Sequence, residues 1–160
     1  MKGKVMKKIV FLVLIILSLT VFTGCKNSDQ SKIWGDYVFD KTIYLSALSS
    51  YNPEYSENQM DSMKYTIKDD VFEISSSDSD YKVSQPVYRK EKIDGNFIQV
   101  LGENKTISIS DYTDKFRYSI YDADNKKINY YLYLMDGELW ISSYSNGNDK
   151  DIIMYIYKLK

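Results

Sequence analysis

Histidine is absent from this chain, and its 160 residues include only one cysteine, two prolines and seven glycines. Each scarcity removes a class of chemistry. Without imidazole there is no Ser-His-Asp triad and no imidazole proton shuttle. A single cysteine makes no intrachain disulfide and, with no histidine beside it, no Cys/His zinc site. Packing alone must hold such a fold together. The glycines are isolated turn residues, so no glycine-rich loop is present to cradle a phosphate.

What is present begins at the N-terminus. Lys2, Lys4, Lys7 and Lys8 precede an apolar run over residues 9–21, and Phe22-Thr23-Gly24 leads into Cys25. A basic n-region, an apolar h-region shorter than a span of ~20 residues and a small residue at the cleavage point read as a secretory signal, with an uncleaved membrane anchor as the alternative. On these residues the chain resembles bacterial lipoprotein precursors. The resemblance implies that the Cys25 thiol takes a diacylglyceryl group and that signal peptidase II then cuts before it. Two acyl chains are enough for stable anchoring without a transmembrane helix. The expected organisation is a cleaved signal peptide over residues 1–24, the lipidated cysteine and a polar tether over 25–32, and a single β-rich domain over 33–160. The expected location is the outer, extracytoplasmic face of a bacterial cell membrane. Lipidation would also consume the one thiol, leaving no cysteine nucleophile and no expected cofactor beyond the covalent lipid.

Removal of residues 1–24 takes away four lysines and no acid, leaving 17 basic against 22 acidic side chains, a net charge of −5. That balance disfavours a nucleic-acid partner. Lys26 and Lys32 are separated by Asp29, so no basic cluster reinforces membrane attachment and the lipid must anchor the chain alone.

The domain reads as short strands punctuated by turns. Over residues 37–47 the odd positions Tyr37, Phe39, Ile43, Leu45 and Ala47 are apolar, the period-two pattern of a half-buried strand. Asn52-Pro53-Glu54 is a helix start, predicting one short helix over 53–61. Residues 64–67 and 71–74 flank Asp69-Asp70. The segment 81–93 carries Pro86, which confines it to a sheet edge or a bulge. Asp94-Gly95 predicts a hairpin into residues 96–101. Phe116, Tyr118 and Ile120 alternate with Arg117, Ser119 and Tyr121. Asp136-Gly137 and Asn146-Gly147 are hairpin signals that join residues 128–135, 138–144 and 151–159 into a meander. In the last of these, Ile152, Met154 and Ile156 fall on one face and Ile153, Tyr155, Tyr157 and Leu159 on the other, which predicts a strand buried on both sides. The expected fold is all-β, an antiparallel meander of about nine or ten strands forming a small barrel or sandwich. At Trp34-Gly35 the domain loosely resembles small lipocalin-like barrels. That resemblance implies that Trp34 and Gly35 close a barrel floor beneath a cavity for a small apolar ligand.

Asp122-x-Asp124-Asn125 echoes the start of a calcium loop, but Lys126 stands at the next ligand position and no closing Glu follows, so no metal site is expected. Glu73, Glu91, Glu103 and Glu138 sit in or beside strands without a catalytic motif, so no catalytic residue is assigned and no enzyme is expected. Aromatic residues remain. All 16 tyrosines lie beyond residue 25, either lining a binding surface or serving as ordinary strand formers. Tyr131, Tyr133, Trp140, Tyr144, Tyr155 and Tyr157 fall in the last three strands and form the candidate interaction surface, where they would contribute contact area at low entropic cost. Two functions from different classes follow. The first is a lipid-anchored, non-enzymatic domain binding a protein or peptide, of the immunity, inhibitor or accessory-subunit type. The second is a carrier of a small apolar ligand.

Overall fold

The structure, a computed structural model, describes residues 30–49, 60–77, 79–100, 105–146 and 151–160. The expected signal peptide, Cys25 and most of the expected tether lie outside the described residues, as does the expected helix up to residue 59. Met60 is helical and the chain then turns through Asp61 and Ser62.

The fold is all-β. Among the described residues, eleven strands follow one 3-10 turn at Gln30–Ile33: β1 Gly35–Leu45, β2 Lys64–Ile67, β3 Val71–Ser75, β4 Asp80–Ser84, β5 Val87–Lys92, β6 Phe97–Val100, β7 Lys105–Ser108, β8 Lys115–Tyr121, β9 Lys127–Met135, β10 Glu138–Asn146 and β11 Asp151–Leu159. Nine strands form one sheet in the order β4-β3-β2-β1-β11-β10-β9-β8-β5, while β6 and β7 form a separate hairpin. The C-terminal meander β9-β10-β11 is as expected, although the Asn146-Gly147 turn lies outside the described residues from position 147 on. Asp136 and Gly137, with φ of 49° and 90°, adopt the left-handed pair that a two-residue hairpin turn requires.

Pro86 divides the segment expected as one strand. Its two halves, β4 and β5, are covalent neighbours across Gln85-Pro86, yet they occupy opposite ends of the nine-strand order. Gln85 takes φ 50°, and its amide donates to the carbonyl of Asp70. A sheet whose two ends are joined by a two-residue corner must curl. Tyr88 of β5 accordingly donates to the Lys68 carbonyl at 3.1 Å, at the β2–β3 turn. Tyr130 of β9 meets Phe72 of β3 at 5.6 Å and Tyr81 of β4 at 5.3 Å between ring centroids. The ends thus meet through side chains, and no ladder closes a barrel among the described residues.

Two cores follow from the curl. Inside it lie Phe39, Tyr65, Ile67, Phe72, Tyr118, Ile120, Leu132, Ile141, Tyr157 and Leu159. These side chains pack inside the curl, and a cleft of about 330 Å³ opens beside them between Met60, Met63, Ile74, Tyr81, Tyr130 and Tyr155. Trp34 packs against this core half-buried. Gly35 sits so close to the Tyr37 ring that a Cβ there would meet it at 3.0 Å. On the outer face Tyr44, Tyr131, Tyr133, Met135, Trp140, Tyr144, Ile153 and Ile156 are covered by Ile98, Val100 and Ile109 of the β6–β7 hairpin region. β11 is therefore apolar on both faces because both faces are buried.

Three local expectations are corrected. Asp94-Gly95 does not make a β5–β6 hairpin. β5 pairs with β8 and β6 pairs with β7, because the chain crosses over the outer face to bury Ile98 and Val100 there. The strict alternation in β11 also fails. Ser143 pairs with Tyr155 and Tyr144 with Ile153, so Met154 bulges out of the ladder and Ile153 joins Ile156 on the outer face. The tether, finally, does not extend to Lys32: Gln30–Ile33 already forms a turn, and the Gln30 amide donates to the Tyr88 carbonyl at 2.9 Å.

Candidate functional site

Alternation along β9 sends Lys127, Tyr131, Tyr133 and Met135 to the outer face. Register then lines up their neighbours. Arg117 of β8 stands opposite Tyr133 and Ser119 opposite Tyr131, and Glu91 of β5 stands opposite Arg117. On the other flank Ser142 pairs with Tyr131, and the Met154 bulge brings Ile153 and Asp151 onto this same face. The hairpin covers part of the surface and leaves a cleft of about 500 Å³ beside β6. Phe97, Ile98 and Gln99 border it, with Arg117, Tyr131, Tyr133, Asp151 and Ile153 across the sheet and Glu91 and Asp94 nearby. Phe97 is 58% exposed, a large aromatic surface at the rim of the cleft.

Two ion pairs organise the floor. Arg117 pairs with Glu91, and its guanidinium lies 4.7 Å from the centroid of the Tyr131 ring. Lys127 holds Asp151 at 2.9 Å and donates to the Tyr131 hydroxyl, which in turn donates to Asp151. Tyr144 stacks on Tyr131 at 4.6 Å, and the Lys127 ammonium sits 4.5 and 4.8 Å from their two centroids. The Tyr144 hydroxyl donates to the Ile128 carbonyl at 2.7 Å. Cation, carboxylate and aromatic faces thus neutralise one another in a partly buried place, where each would be costly alone.

The electrostatics follow from this packing. Burial opposes the charge on Asp151, but the hydrogen bonds from Tyr131 and Lys127 outweigh it and hold the carboxyl below its usual range. Burial likewise opposes the charges of Arg117 and Lys127, yet Glu91 and Asp151 respectively raise both above their ordinary values. Burial pushes the Tyr131 and Tyr133 hydroxyls up, and that of Tyr144 up to about 12. All three phenols remain neutral donors across physiological pH.

The six aromatic residues expected to form one open surface do not do so. Tyr131, Tyr133, Trp140 and Tyr144 lie together on the outer face, all buried, while Tyr157 is buried in the inner core with Tyr155 packed against it. Tyr155 and Tyr157 stack at 4.2 Å there. Only Tyr131 and Tyr133 of the six reach the cleft. Sequence reading missed Phe97, Gln99, Glu91, Arg117, Lys127 and Asp151. One signal pointed to part of this set: Arg117 faces away from Phe116, Tyr118 and Ile120 in a strand that would otherwise turn a polar face to water.

The Asp/Asn-rich loop after β8 is explained by backbone bonding. Asp122 Oδ1 accepts from the amides of Asp124 at 3.0 Å and Lys126 at 2.8 Å, an Asx turn. No family model, curated protein or solved structure matches this chain.

Proposed function

We propose that this chain is the precursor of a lipoprotein anchored through Cys25 to the outer face of a bacterial membrane, and that its domain binds a protein or peptide partner without catalysing a reaction. The partner seats in the cleft beside β6. Its class is that of an immunity protein, an inhibitor of a secreted enzyme or an accessory subunit. The observation that carries this reading is the composition of the cleft. An exposed Phe97 stands above a floor of tyrosines and paired charges, where aromatic and arginine side chains supply anchoring contacts and surrounding polar groups supply orientation. A small apolar ligand is the weaker match to the cleft beside β6, which carries both acids and bases.

The test is native mass spectrometry of the mature protein purified from its own membranes, compared with a Phe97→Asp variant. Phe97 is exposed, so this change leaves the cores intact. The expected result is a diacylglyceryl mass on Cys25 and a co-purifying protein that Phe97→Asp loses. Retention of that protein by Phe97→Asp would remove the cleft from the account, and an unmodified Cys25 would remove the anchor.

A further inference from the structure

Every sheet has edges, and a free edge invites another strand unless charge, proline or a covering group blocks it. Among the described residues three edges are protected. β5 carries Arg89, Lys90, Glu91 and Lys92 in succession, and Gln30 donates to its Tyr88 carbonyl. β4 carries Asp80 and Lys82, and β7 carries Lys105. β6 reads Phe97-Ile98-Gln99-Val100, with no charge at all.

The direction of its free backbone groups follows from the ladder. The Ile109 amide donates to the Asn96 carbonyl at 2.8 Å, and the β6–β7 register runs on without a bulge through Ile98↔Ile107 and Val100↔Lys105. In an antiparallel pair, hydrogen-bonded and non-bonded positions alternate. Ile98 and Val100 therefore spend their backbone groups on β7, whereas the N–H and C=O of Phe97 and Gln99 point away from it. Phe97 and Gln99 are also two of the residues that border the cleft.

Charge restricts what can lie there. Around the cleft Arg117 holds Glu91 and Lys127 holds Asp151, while Asp94 borders it beside Lys92, so the bias comes from the chain beyond residue 24, which carries a net −5. An approaching cation is favoured over an anion.

Resting on the reading that the cleft binds a peptide or protein, we infer that the partner enters as an extended segment of net positive charge that adds to β6 at Phe97 and Gln99 and passes the carboxylate of Asp94. Main-chain pairing gives the affinity in this mode, and the alternate side chains give the selectivity.

The test selects a phage-displayed random peptide library on the full chain in detergent, then measures the selected peptides against two variants. Gln99→Pro deletes the outward N–H and spares the β7 ladder, because proline is tolerated on an edge strand at a position that donates no ladder bond. Gln99→Val keeps the N–H. The expected outcome is a set of Lys- or Arg-containing peptides that bind Gln99→Val like the parent and lose about tenfold or more on Gln99→Pro. Should Gln99→Pro misfold, N-methylation at alternate residues of a selected peptide removes the same bonds from the other side and must weaken binding likewise. Equal binding to both variants, or no effect of N-methylation, overturns strand addition while leaving peptide binding in place. Selection of acidic peptides overturns the charge assignment. Failure to select any peptide contradicts the binding reading itself.

Discussion

Lys127 and Asp151 open the first and last strands of the C-terminal meander, and their charged atoms meet at 2.9 Å across the strand between them. Tyr131 completes the contact by donating to the same carboxylate oxygen. The pair therefore ties β9 to β11 at the mouth of the cleft. Because the folded state holds the Asp151 carboxyl below its ordinary range, through hydrogen bonds from Tyr131 and Lys127, its contribution is complete above the unfolded value and is lost as pH falls through the folded value.

Asp151→Asn should thus lower stability near neutral pH by up to about 1 kcal/mol, a modest figure because both partners are about a third exposed. It should also flatten the loss of stability below about pH 4. Urea midpoints from pH 3 to pH 7, at roughly unit intervals, check both effects. An unchanged acid slope would mean that Lys127 and Tyr131 do not hold the carboxylate in the folded chain.

Alkali acts in the opposite direction. Burial raises Tyr65, Tyr88 and Tyr131 well above the ordinary range of a phenol and Tyr144 to about 12. Unfolded tyrosines release protons near pH 10, so folding stability is fully present below that point and falls as pH rises toward the folded values. Tyrosinate absorbance followed together with circular dichroism should show these tyrosines titrating only as the fold is lost. Their early ionisation in a folded chain would contradict the burial described.

Gly137 has φ of 90° and no atom within 4 Å of a Cβ built on it. Gly137→Ala therefore tests backbone conformation without steric conflict, and should cost about 1 kcal/mol in a chemical denaturation series. A neutral result would mean that the β9–β10 turn does not hold the left-handed geometry.

Met154 is the extra residue that returns Ile153 and Asp151 to the outer face. Its deletion should leave both facing outward, because Ser143↔Tyr155 and Tyr144↔Ile153 then become consecutive rungs of a regular ladder. Retained cooperative unfolding is the expected result, measured against Met154→Ala, which keeps the bulge; loss of cooperativity on deletion would contradict the register.

Much of this architecture was legible in the sequence, and the exceptions have physical causes. The three-strand meander could be read because Asp136-Gly137 and two flanking alternating runs are local signals that agree with each other. The position of β5 could not, since its partner β8 is distant in sequence and the competing Asp94-Gly95 signal is local. The bulge at Met154 is invisible in a strand whose two faces are equally apolar, as alternation then carries no register information. The same limit governed the site. Alternation puts Tyr131 and Tyr133 on one face, but the six aromatics of the last three strands divide between two faces, and whether the outer one is open or covered depends on β6 and β7, whose placement is a tertiary event. Arg117 and Asp151 gained their importance only when register and the bulge set them beside Tyr131.

The central claim is that a partner seats in the cleft beside β6, and photo-crosslinking in living cells tests it most directly. A photoreactive amino acid replaces Phe97 in one strain and Leu48, which is 63% exposed and does not border the cleft, in another. The account predicts a discrete protein adduct from position 97 that is absent from position 48. No adduct at 97, or the same adduct from both positions, would contradict it.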